Sequence, residues 1–174
     1  ESANRLIWNF SLVKGAAVAL NPIPVADLAG GVGVDVAMIL ALSKIYGIPL
    51  TRSSALRLVR DMSFALGAMG VLQVATKLLA SGIKSALAAS TVMTGGLATP
   101  LTVLGYSAIG LSQASAAATA SYVVGQGAKT YLKHGCQWGP RGVKTVIQEI
   151  LVQAKADSIV DRLRADLKQR IKKS

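Results

Sequence analysis

A chain of 174 residues is long enough to bury a core of its own and fits one domain, or one domain with an appended element. Its 16% charged residues, 52% hydrophobic residues and mean hydropathy of +0.48 set it apart from an ordinary soluble domain, where about 25% of residues are charged. One cysteine, Cys136, excludes an intrachain disulfide and a cysteine-based metal cluster; with one histidine, His134, metal catalysis has almost no ligands to use.

The net charge is +11, from 19 basic and 8 acidic residues, and the basic groups gather toward segment ends. No aromatic-basic platform accompanies them, so anionic lipid headgroups are the expected partner and nucleic acid is not. The chain opens on Glu1 and not on Met, and its early apolar run is interrupted by Lys14 with no signal-peptide pattern, so upstream sequence is expected.

Residues 6–20 predict a first helix, with Trp8 and Phe10 near its start and Lys14 inside. Asn21-Pro22-Ile23-Pro24 predicts a structural turn, because proline lacks an N–H and disfavours helix in the residue before it. A second helix follows over 24–46, with Pro24 at its first position and Asp27 in its first turn. Gly47 caps it, and Thr51, Ser53 or Ser54 starts a third helix, basic at first through Arg52, Arg57 and Arg60, that runs toward residue 79.

Residues 85–128 then form a run of 44 without one Asp, Glu, Lys, Arg or His. Crossing a hydrocarbon core takes about 20 helical residues, so the run predicts a hydrophobic hairpin, with Gly95, Gly96 and Pro100 as turn breakers. Of the 44 residues 28 are Ala, Gly, Ser or Thr, a composition that suits close helix packing better than a lone span, and an Ala-rich pair buried in protein is the alternative. Tyr122, Lys129, Tyr131, Lys133 and Trp138 form an aromatic and basic band at its exit. One long amphipathic helix over about 143–172 closes the chain, on the spacing of Val146, Ile150, Ala154, Ile159, Leu163, Leu167 and Ile171. The expected division is a helical membrane-associated domain over 1–135 and a basic amphipathic helix within 136–174. Five to six helices are expected, without sustained strand alternation or an internal repeat.

Candidates for chemistry are few. Gly125 to Thr130 ends in Lys-Thr, but Ala128 stands where a phosphate loop needs the glycine before its lysine, and Gly31 to Val36 lacks the third glycine of a dinucleotide turn. His134 and Cys136 have no third member for nucleophilic catalysis. No catalytic, cofactor or metal site is therefore expected. Asp27 and Asp35 lie about 80° apart around one helix. Either they form an intramembrane charge cluster with Lys14, or Asp27 caps its helix and Asp35 faces an aqueous boundary. Arg162, Arg164, Lys168, Arg170, Lys172 and Lys173 load the chain's end for a membrane surface or a partner, although cations at a helix C-terminus also satisfy the macrodipole.

The octet Asn21-Pro22-Ile23-Pro24-Val25-Ala26-Asp27-Leu28, followed by Ile45-Tyr46-Gly47-Ile48 and later Tyr131-Leu132-Lys133-His134-Gly135, resembles the YcjF-like, GTPase-associated domain-of-unknown-function family. From Cys136 on, the tail is most similar to cyanobacterial or plastid members. The resemblance implies an all-α membrane anchor or assembly module that accompanies a dynamin- or Era-like GTPase, in cis or in trans, with no catalytic residue to carry over. Its expected place is a bacterial inner, thylakoid or plastid membrane, with the basic tail on the cytoplasmic or stromal side, two to four spans, and homo-oligomeric or complex assembly. The alternatives are an oligomeric pore or transport component, with Asp27 or Asp35 setting selectivity, and a helical interaction subunit of a larger membrane complex.

Overall fold

The computed structural model describes residues 1–20, 27–68 and 101–173, with side chains placed for 1–19, 32–67, 111 and 113–171. These residues form six α-helices and no strand: α1 (Ser2–Leu20), α2 (Asp27–Ile45), α3 (Arg52–Ala68), α4 (Leu101–Lys133), α5 (Gly142–Ala156) and α6 (Ile159–Lys173). The turn at Asn21, Pro22 and Pro24 and the hairpin tip at Gly95, Gly96 and Pro100 lie outside the described residues, as does the third helix's expected extension to 79.

Local chemistry sets several boundaries. At the end of α2, Gly47 takes φ +67°, its N–H donates to Lys44 O and the Ile48 N–H reaches back to Ser43 O, so carbonyls left over at the helix end are satisfied. Thr51 caps α3, its Oγ1 accepting the Ser54 N–H at 3.2 Å. The end of α4 repeats the glycine device: Gly135 has φ +67° and the Cys136 N–H donates to Tyr131 O.

The helix α4 is the axis of the bundle and touches all five others. It runs antiparallel to α1: Asn4 meets Lys129, Ile7 meets Gly125, and Gly15 meets Ala114 and Ala118. Two apolar cores are strung along this pair. One joins Ile7, Met38, Ile39, Leu42, Val59, Met62, Val123, Leu132 and Ile147 from α1 to α5; the other joins Leu12, Ala114, Ala118, Ala154, Ile159, Leu163 and Leu167.

Small residues in α4 are notches for these neighbours. A Cβ on Gly125 would lie 2.7 Å from Ile7 Cγ2, and one on Gly127 would lie 2.7 Å from both Met62 Sδ and Ile147 Cδ1. The Ala- and Gly-rich composition is thus used for close helix approach within one chain.

Two expectations are corrected here. No described helix is long and apolar enough to cross a membrane. The part of the charge-free run that falls in the described side chains of α4 is spent on protein contacts, with Ala114, Ala118, Val123 and Ala128 buried. The aromatic band is likewise internal packing: Tyr131 packs against Trp138 at 5.0 Å between ring centres with the rings tilted by 45°, and Tyr122 and Trp8 meet edge to face.

The second correction concerns the single C-terminal helix, which is two. Helix α5 stops at Ala156, Asp157 and Ser158 turn the chain, and α6 starts anew. In one straight helix Ala154 and Ile159 would lie about 140° apart, yet both are buried, and the turn brings them into one core.

Candidate functional site

The buried serines show what a polar side chain does inside these helices. Ser11, Ser43 and Ser115 turn back onto carbonyls of their own helices. Ser121 instead crosses from α4 to α2, and its hydroxyl donates to Asp35 Oδ1. The other carboxylate oxygen of Asp35 accepts from Lys14 Nζ on α1. Asp35 is 3% exposed and the Lys14 side chain 16%.

Three helices therefore meet on one carboxylate, between the two apolar cores. Both of its oxygens are engaged, which is the condition under which a buried ion pair is tolerated. Such a group is a clamp, since neither its acid nor its base function is open to an incoming molecule.

Of the cluster expected at Lys14, Asp27 and Asp35, the structure brings Lys14 and Asp35 together. Asp27 opens α2, and its side chain lies outside those described. An aqueous boundary for Asp35 is overturned by its burial. Ser121 went unrecognised because it is one of many small hydroxyl residues in its run.

The second assembly is where α6 docks. Leu163 and Leu167 are fully buried, and Leu167 Cδ2 occupies space that a Cβ on Gly15 would need, at 2.8 Å. On the rim, Trp8 Nε1–H donates to Asp166 Oδ2 at 3.0 Å, and the Arg162 guanidinium lies 5.3 Å from the Trp8 ring centre, within cation–π range. Tyr122 closes this corner with its ring nearly perpendicular to that of Trp8, and burial, its largest influence, pushes the phenol above the usual tyrosine value.

The expected surface residues thus divide. Arg162 is engaged with Trp8, Arg164 and Lys168 are exposed on the outer side of α6, and Arg170 is exposed one heptad beyond Leu163. The side chains of Lys172 and Lys173 lie outside those described.

The remaining candidates are helical or local. Gly125 to Thr130 lies inside α4 and Gly31 to Val36 inside α2, where backbone N–H groups serve the helix ladder and not a phosphate. His134 Nδ1 sits 2.8 Å from Thr130 O, where it is the donor, and Cys136 packs against the larger core. Among the described residues no three His, Cys, Asp or Glu side chains are grouped to hold a metal. At the far end of α4, Lys129 donates to Asn4 Oδ1 at 2.7 Å; burial, followed by the nearby Lys133 charge, lowers its pKa.

No curated protein and no solved structure matches the chain. The chain does belong to the family described as a domain of unknown function (DUF697), whose model matches residues 1–156, from the start of α1 to the last residue of α5.

Proposed function

We propose that the chain is a non-catalytic assembly module that tethers a GTPase domain, in cis or in trans, to a bacterial or plastid membrane. The observation that supports the non-catalytic part is the Asp35 clamp, in which the buried carboxylate is taken up by Lys14 and Ser121. The GTPase link rests on the resemblance of the Asn21 to Leu28 octet to GTPase-associated domains, and the cyanobacterial or plastid link on the tail.

Membrane contact is assigned to residues 85–110, 26 charge-free positions ahead of the packed part of α4, supported by exposed cations on α3 and α6. A pore reading is weaker, because Asp35 is enclosed between α1, α2 and α4.

Alkaline carbonate extraction of membranes from cells expressing the chain tests the tether. Retention in the pellet is the expected outcome, as for an element seated in the hydrocarbon layer. Release into the supernatant would remove membrane anchoring from the assignment and turn the charge-free run into a protein-packing segment throughout.

A further inference from the structure

The bend between α5 and α6 is made without the residues that normally make one. No glycine or proline occurs from 143 to 174; what changes at the bend is the phase of the apolar residues, which jumps by about 140° between Ala154 and Ile159. Ser158 nevertheless takes φ +54°, at the position after a helix end where glycine is usual because side-chain-bearing residues adopt that region at a cost.

The bend is closed by the Ser158 N–H donating to Lys155 O at 3.1 Å and by Ala154 and Ile159 meeting in one core, with few side-chain contacts of its own. Asp157 and Ser158 are exposed, and the Gln153 Nε2–H to Asp157 Oδ1 hydrogen bond spans four residues, a spacing that a straight helix also permits. What holds α6 is its seat: Leu163 and Leu167 in the groove formed by Leu12, Gly15, Ala114 and Ala118, with Trp8 on its rim. Helix α6 also lies beyond the stretch that the family model matches.

We propose that α6 is an exchangeable strap that, with α5 and α6 straightened into one helix, seats in the α1/α4 groove of a second copy of this chain. The groove and the strap keep the same contacts in either arrangement, so the closed monomer and the exchanged dimer differ chiefly at the hinge. Straightening relieves two left-handed serines per dimer and opposes the loss of freedom on association. This assembly stands apart from the membrane tether and requires neither lipid nor GTPase.

Light scattering on the full-length chain in mild detergent, across a wide concentration range, tests it through the hinge. Ser158→Gly removes the strain that favours straightening; at about fivefold per hinge it weakens the dimer about 25-fold. Asp157→Ala with Ser158→Ala favours the continuous helix and strengthens the dimer by several-fold. A dimer constant indifferent to both hinge variants, or a chain that stays monomeric even with Asp157→Ala/Ser158→Ala, would overturn the proposal.

A complementation experiment reads the exchange itself. Leu163→Asp/Leu167→Asp spoils the strap and leaves the groove, while Gly15→Leu fills the groove and leaves the strap. Each alone is expected to lose dimerisation, and a mixture is expected to recover a heterodimer with one intact strap-groove pair. If both variants remain folded by circular dichroism and the mixture yields no heterodimer, exchange does not occur.

Discussion

The carboxylate of Asp35 shows how far a single residue's role was legible. An acid in an otherwise apolar helix needs a partner, and Lys14 is the nearest basic residue on the preceding helix, so the pair was within reach of sequence reasoning. Ser121, 86 residues away from Asp35 in sequence, was not, because nothing in an Ala-, Ser- and Thr-rich run distinguishes the one hydroxyl that faces another helix. The energetics follow from burial. Lys14→Met leaves a buried carboxylate with only a hydroxyl donor and is expected to cost about 3–5 kcal/mol, whereas Lys14→Met with Asp35→Leu removes both charges and is expected to recover most of that loss. Urea denaturation of the three proteins measures the difference. A double variant as unstable as Lys14→Met would show that the clamp contributes through packing and not through charge compensation.

At the scale of the element, helix identity was legible and helix division was not. Helices α1, α2 and the start of α3 follow from apolar spacing, the Gly47 cap and the Thr51 hydroxyl. The α5–α6 break has no glycine or proline to mark it, and its one trace in the sequence is the jump of about 140° in apolar phase between Ala154 and Ile159. It exists because α5 seats Ile147 against the α3 side of the bundle while α6 seats Leu163 and Leu167 between α1 and α4. The same tertiary demand separates glycines that look alike in sequence. An added methyl at Gly127 meets flexible side-chain ends, Met62 Sδ and Ile147 Cδ1. One at Gly15 meets the Ala114 carbonyl oxygen at 2.9 Å, which belongs to helix backbone and yields little. Gly15→Ala is therefore expected to destabilise by about 1–3 kcal/mol. Gly127→Ala is expected to be close to neutral, since about 1 kcal/mol of helix propensity offsets the repacking. Thermal unfolding of the two variants checks the order, and an equal loss at both sites would contradict the notch geometry.

For the whole molecule, composition indicated a chain poor in charge and apolar spacing an all-helical one, and the described residues form one bundle that spends part of the charge-free run on protein contacts. Composition cannot separate a helix buried by lipid from one buried by its own chain, because small residues serve close packing in both. Charge provides the means to separate them. Arg52, Arg57 and Arg60 on α3 and Arg164 and Lys168 on α6 are exposed. At about 1 kcal/mol per cation near an anionic surface, reversing Arg164 and Lys168 together is expected to weaken vesicle binding at low salt by about tenfold or more. Those two positions lie on the outer side of α6, so Arg164→Glu/Lys168→Glu leaves the seat of Leu163 and Leu167 intact. Electrostatic attraction of this kind fades as the Debye length shrinks from about 30 Å at 0.01 M salt to about 3 Å at 1 M, whereas the hydrocarbon burial proposed for residues 85–110 would not. In co-sedimentation with phosphatidylglycerol vesicles, the expected pattern is a bound fraction that persists when bound vesicles are transferred to 1 M salt, with the charge-reversed variant deficient only in its low-salt capture. Complete release at 1 M salt would mean that the cations of α3 and α6 hold the chain at the headgroups and that the apolar run is not inserted.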